Sequence, residues 1–88
     1  MISKEFTVLA AEGLHARPAK ALLMVIKQFK SAVTMVKDTA EADARSMLGI
    51  LSMQVSYNSK ITMKVEGEDE EAAMAALTKF FEEDILAL

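Results

Sequence analysis

The sequence predicts an α+β sandwich in which helices cover one face of a mostly antiparallel sheet. Three observations carry that expectation. Some segments alternate apolar and polar residues with the period of a strand, others repeat apolar residues at helical spacing, and the two kinds are interspersed along the chain. The length of 88 residues accommodates one domain, residues 1–88, with a modest core and no second unit.

Lys4 to Ala10 places Phe6, Val8 and Ala10 on one side and Glu5, Thr7 and Leu9 on the other, a strand packed mainly through one face. From Ala16 to Phe29, Ala19, Leu22, Leu23, Ile26 and Phe29 recur at helical spacing, with Lys27 and Lys30 near the negative end of the helix dipole. Ala32 to Val36 is short and rich in strand formers, and Asp38-Thr39 supplies turn residues after it. Ala40 to Ala44 has poor strand propensity and too few core residues for a helix, which makes it at most a short edge strand. Ser46 is a good N-cap for a short helix over Met47 to Met53, despite Gly49. Ile61, Met63 and Val65 then alternate with Thr62, Lys64 and Glu66, the clearest strand in the chain. After Gly67 the acids Glu68 to Glu71 lie where a helix start favours negative charge, and Ala73, Ala76, Leu77, Phe80 and Phe81 continue at helical spacing.

Ten basic and thirteen acidic residues give a net charge of −3 and a pI near 5.1. No basic run restores a positive patch, so nucleic acid and anionic membrane are not expected as direct partners. The lack of cysteine excludes disulfides and thiolate metal sites and suits a reducing cytosol. Met1 to Glu5 shows no signal-peptide pattern, and the longest apolar stretch, Ala21 to Ile26, is far too short to cross a bilayer. The expectation is a cytoplasmic protein with no membrane insertion.

Chemistry concentrates in Gly13-Leu14-His15-Ala16-Arg17-Pro18-Ala19, where the first strand gives way to the first helix. Pro18 suits the first turn of a helix, where an N–H would lack an intrahelical partner, so the helix starts close to His15, the only histidine. Free N–H groups there, at Ala16 and Arg17, combine with the positive end of the dipole and the Arg17 guanidinium into an anion site. The dipole works against an imidazolium and leaves a neutral imidazole with a free lone pair, which is a nucleophile. If His15 attacked phosphorus, the resulting phosphate would lie against the same donors, so the segment suits reversible phosphoryl transfer. The plainer alternative is a structural α+β interaction module in which His15 only caps a helix. No second histidine, serine–histidine–acid arrangement or metal-ligand spacing supports hydrolysis.

The segment Gly13 to Ala19 resembles the active-site signature of HPr, the histidine-containing phosphocarrier family of the bacterial phosphoenolpyruvate-dependent sugar phosphotransferase system. The resemblance continues through Arg45-Ser46-Met47-Leu48-Gly49-Ile50-Leu51-Ser52-Met53, similar to the block that carries a regulatory serine in Gram-positive members. It extends to Glu66-Gly67-Glu68-Asp69-Glu70 before the last helix. This resemblance implies an open-faced sandwich, a four-stranded antiparallel sheet with three helices on one face, with Ala40 to Ala44 as its third strand. It implies that His15 accepts phosphate on Nδ1 from phospho-enzyme I and passes it to sugar-specific enzyme IIA, with Arg17 balancing the charge. Such a protein is a monomeric carrier without cofactor or independent turnover, and so not an enzyme. The resemblance further implies modification of Ser46 by a bifunctional HPr kinase/phosphorylase and engagement of a catabolite-control transcription regulator. A neighbouring alternative is a regulatory paralogue that acts mainly by binding partners in carbon catabolite control.

Ser46 also has a physical case, since a phosphate at a helix N-cap meets free N–H groups, here with Arg45 beside it; the ordinary reading is a capping serine. The short helix is apolar on nearly every side, which assigns Met47, Leu48 and Leu51 to partner docking and Ile50 and Met53 to the core. Lys20, one turn beyond His15 and Arg17, suits an acidic partner rim. The acids Glu66 to Glu71 form no regular oxygen-ligand loop, and no metal is assigned. Several positions depart from the family pattern. Glu12 brings a carboxylate near the proposed phosphate, Gln54 and Asn58 stand where glycines are frequent, Asp38-Thr39 replaces an Asn-Gly turn, and Ile85 to Leu88 is an unusually apolar tail. These changes bear on loop geometry and C-terminal packing and leave the active motif intact.

Overall fold

Apolar alternation and helical spacing become seven elements in the computed structural model, which describes residues 1–88. They are β1 (Ile2–Thr7), α1 (Ala16–Ile26), β2 (Ala32–Lys37), β3 (Ala40–Asp43), α2 (Met47–Ser52), β4 (Lys60–Glu66) and α3 (Glu70–Glu82), followed by a 3₁₀ turn at Asp84–Ala87. The strands form one antiparallel sheet in the order β1-β4-β2-β3. The central strand β4 faces Phe6 with Ile61 and Met35 with Met63. Ile61, Met63 and Val65 are buried, together with Val33 and Met35 of β2. On this side lie the inward residues of the helices, Leu22 and Ile26 of α1 and Met74, Leu77, Phe80 and Phe81 of α3, in one apolar cluster. Phe81 stacks on Phe6 with ring centroids 4.8 Å apart and meets Phe80 edge-on at 5.1 Å. The result is an open-faced α+β sandwich, with three helices on one face of a four-stranded sheet.

Element ends differ from the sequence expectation where partners distant in sequence decide them. β1 is centred two to three residues earlier than Lys4–Ala10, because Val8 leaves the strand to exchange hydrogen bonds with the loop before β4. Its N–H donates to the Ser59 carbonyl at 2.9 Å, and its carbonyl accepts from Asn58 N–H at 2.7 Å. The alternation survives this change, with Val8 and Ala10 still buried. α1 stops at Ile26, not Phe29, since Gln28 and Phe29 donate to carbonyls three residues back at 3.2 and 3.1 Å. No basic residue occupies its last turn. The positive charge is supplied by Arg45, whose Nη1 donates to the carbonyls of Ile26, Phe29 and Ser31 at 3.3, 2.8 and 3.2 Å.

β3 forms through pairing, despite its weak propensity, with Lys37 opposite Ala40 and Thr34 opposite Asp43. Gly49 fits α2 for a steric reason: a Cβ there would press on the carbonyl oxygen of Asp43. At the start of α3, Asp69 does not cap its own helix. Its carboxylate accepts from Lys30 N–H at 2.8 Å, Ser31 N–H at 3.0 Å and the Ser31 hydroxyl, tying the α1–β2 connection to α3. Ala76, expected on the inner face of α3, is only half-buried, while Met74 is buried. In the apolar tail Ile85 enters the core and Leu86 and Leu88 stay exposed.

The substituted loop positions keep unusual backbone geometry. Asp38, Gln54 and Asn58 have φ of 56°, 49° and 69°, the left-handed region that glycine adopts without penalty. At these residues the backbone adopts left-handed turns without glycine.

Candidate functional site

The turn before α1 is built by three fixed points. Gly13 adopts φ +75° and donates its N–H to the Ala10 carbonyl at 2.9 Å. Leu14 is buried and donates its N–H to the Val55 carbonyl at 2.9 Å. Pro18 and Ala19 are buried on the next turn. His15 lies between these anchors with 43% of its side chain exposed, so the chain on either side is held while the imidazole faces solvent.

His15 is the N-cap residue of α1, with φ −76° and ψ −172°, and its carbonyl accepts from Ala19 N–H at 2.9 Å. Its side chain makes no capping hydrogen bond, which leaves the ring free for other chemistry. Ala16 and Arg17 hold the first two helical positions, where N–H groups have no intrahelical acceptor, and Pro18 at the third has no N–H. Arg17 is exposed and enters none of the ion pairs. Lys20 is exposed one turn further along. The one carboxylate paired with the ring is Glu12, whose Oε2 lies 3.7 Å from Nε2. A nucleophilic nitrogen, two unpartnered backbone donors and a guanidinium are thus carried on one helix start, an arrangement able to hold a tetrahedral anion.

Ser46 caps α2, its Oγ accepting from Gly49 N–H at 3.2 Å. Arg45, expected to reinforce a phosphate there, is turned instead to the carbonyls that end α1. In the expected docking set Leu48 is 80% exposed and Leu51 36%. Met47, of the same set, is half-buried and packs against the core. Ile50 and Met53 are buried as expected. Sequence reasoning missed two features. Met24 on α1 is 62% exposed, and the Val55 carbonyl braces the His15 turn across a distance no local pattern reveals. No three histidine, cysteine, aspartate or glutamate side chains converge to hold a metal, and no helix is long and apolar enough to cross a membrane.

Comparison with known proteins gives a consistent result. Residues 2–83 match the family described as the PTS HPr component phosphorylation site. The chain is 35% identical over 82 residues to the phosphocarrier protein HPr of Treponema pallidum, covering 93% of each chain. It is 36% identical over 84 residues to the HPr-like protein Crh of Halalkalibacterium halodurans, covering 96% of this chain and all of that one. The crystal structure of HPr from Thermoanaerobacter tengcongensis superposes with a TM-score of 0.93 at 33% identity, over 97% of this chain and 96% of that one. On these grounds the chain belongs to the HPr family of phosphotransferase-system phosphocarriers.

Proposed function

We propose that this chain takes a phosphoryl group onto Nδ1 of His15 from phospho-enzyme I and hands it to sugar-specific enzyme IIA proteins in the cytoplasm. The observation that carries this reading is His15 at the N-cap of α1, with an exposed imidazole that makes no capping hydrogen bond, beside the Ala16 and Arg17 N–H groups. The Glu12 carboxylate near Nε2 favours a proton on that nitrogen, which leaves the lone pair on Nδ1. Attack by Nδ1 on phosphorus places the phosphoryl oxygens near the two N–H donors and the Arg17 guanidinium. An exposed group can approach a donor and then an acceptor with no structural opening. Leu48 and Leu51, with Met47 beneath them, form the apolar part of the docking surface, and Lys20 contributes charge at its rim. The protein acts as a monomer and needs no cofactor; it is a relay, and turnover belongs to its partners.

The test is a reconstituted relay of enzyme I, phosphoenolpyruvate, this protein and an enzyme IIA. Phosphate reaches the enzyme IIA with the wild-type protein and not with His15→Ala; transfer that survives His15→Ala removes the reading.

A second role is favoured by the Ser46 cap and by the likeness to a protein described as HPr-like protein Crh. In it Ser46 is phosphorylated by an HPr kinase/phosphorylase, and the modified protein engages a catabolite-control transcription regulator. The added phosphate would meet the N–H groups at the start of α2. Incubation with that kinase labels the wild type and spares Ser46→Ala; an unlabelled wild type removes this role. The two roles coexist, and His15 favours the carrier as the main one over a purely partner-binding paralogue.

A further inference from the structure

We infer that Glu12 is a positioning residue for discharge: its carboxylate, at ion-pair distance from Nε2, favours the ring-protonated form of phosphorylated His15 and so speeds departure of the phosphoryl group. The inference deepens the carrier reading and rests on it. Glu12 and His15 occupy one turn whose backbone is fixed by the Gly13–Ala10 and Leu14–Val55 hydrogen bonds, and Glu12 Oε2 lies 3.7 Å from Nε2. The other charged residues at this helix start are cationic. Arg17 is two residues on, and Lys20 is a turn further along α1. The segment 54–59, which packs against the turn through Val55 and Ser56, contributes no carboxylate or amine and only the Tyr57 phenol. Glu12 is therefore the one carboxylate within ion-pair distance of the ring.

Phosphorylation of Nδ1 leaves Nε2 as the only basic nitrogen of the ring. With Nε2 protonated, cleavage of the P–Nδ1 bond returns its electron pair to Nδ1 and releases a neutral imidazole. Phosphorus bonds to the acceptor nucleophile, or to water, and the proton stays on Nε2. Without that proton the same cleavage expels an imidazolate, a much poorer leaving group. A carboxylate beside Nε2 raises the fraction of rings in the reactive form. Glu12 also repels the phosphate itself, but that repulsion acts whether or not the ring is protonated. The pH profile separates the two effects.

The experiment charges wild type and Glu12→Gln with phosphoramidate, a small donor that needs no enzyme I, and follows phosphate release from acid to mildly alkaline pH. Near neutrality Glu12→Gln should discharge about twofold to fivefold more slowly, the range expected of an exposed ion pair. Its pH–rate profile should be displaced to lower pH, meeting the wild type at the acid end, and the difference should shrink at high salt. Superimposed profiles, or a ratio that is the same at every pH, would overturn the inference. If phosphoramidate charges the wild type while enzyme I does not, the enzyme I reading fails and the Glu12 test still stands. A His15 that accepts phosphate from neither donor defeats both.

Discussion

Gly13 is the residue on which the His15 turn depends most. A Cβ added at its φ of +75° would meet the Val55 carbonyl oxygen and the Ser56 backbone. Gly13→Ala should therefore destabilise by at least about 1–2 kcal/mol in urea unfolding and slow the charging of His15. Gln54 presents the converse case, holding a φ of 49° without glycine's freedom. Gln54→Gly should raise stability by up to about 1 kcal/mol, read by the same unfolding experiment; a loss would show that its side chain offsets the strain. The sequence revealed which residues stood at these positions but not their backbone angles, because a turn fixed by packing can impose a left-handed conformation on a residue that does not prefer it. At Asp69 the Ser31 hydroxyl, followed by the Lys30 N–H, holds the carboxyl below the usual carboxylate range. The Gly67 N–H and then the N-terminal ammonium do the same for Glu70. Both groups bind a proton less readily in the folded chain. Their stabilisation is present above the ordinary carboxylate range and is lost as pH falls through it toward the depressed folded values. Thermal unfolding across the acid range should show that decline, and Asp69→Asn should make it shallower while lowering stability near neutrality.

Among the elements, the helices and β4 were legible from spacing, because each buries one continuous face. Their ends were not. The last carbonyls of α1 are satisfied by Arg45, 19 residues beyond Ile26 in sequence, and no local pattern encodes that contact. Arg45→Ala should destabilise by about 1–3 kcal/mol, whereas Lys27→Ala should stay within about 0.5 kcal/mol. Equal effects in chemical unfolding would show that the guanidinium does not close α1. The same reasoning explains β3, a run of alanines and acids held in the sheet by its ladder with β2. α2 was legible from its cap, since Ser46 carries out locally the bond its position predicted.

Over the whole molecule, 22 buried apolar residues form one core, and the aromatic group Phe6, Phe80 and Phe81 links β1 to α3. Phe81→Ala should cost about 3–5 kcal/mol, a large part of the total of about 5–15 kcal/mol typical of such domains, and lower the urea midpoint accordingly. The segment proposed to accept phosphate could be read from seven contiguous residues because its proposed chemistry depends on a local helix start. The proposed docking surface was less legible, since Met47 is drawn onto the core and Met24 left exposed by how α1 and α2 sit on the sheet. The central claim, that His15 is the site of a transferable phosphate, is tested most directly by phosphorus NMR of the protein after exposure to enzyme I and phosphoenolpyruvate. The account predicts a single phosphoramidate signal, assigned to Nδ1 of His15 and absent from a folded His15→Ala variant. No signal under conditions that charge an HPr of known activity, or phosphate on any other residue, would contradict it.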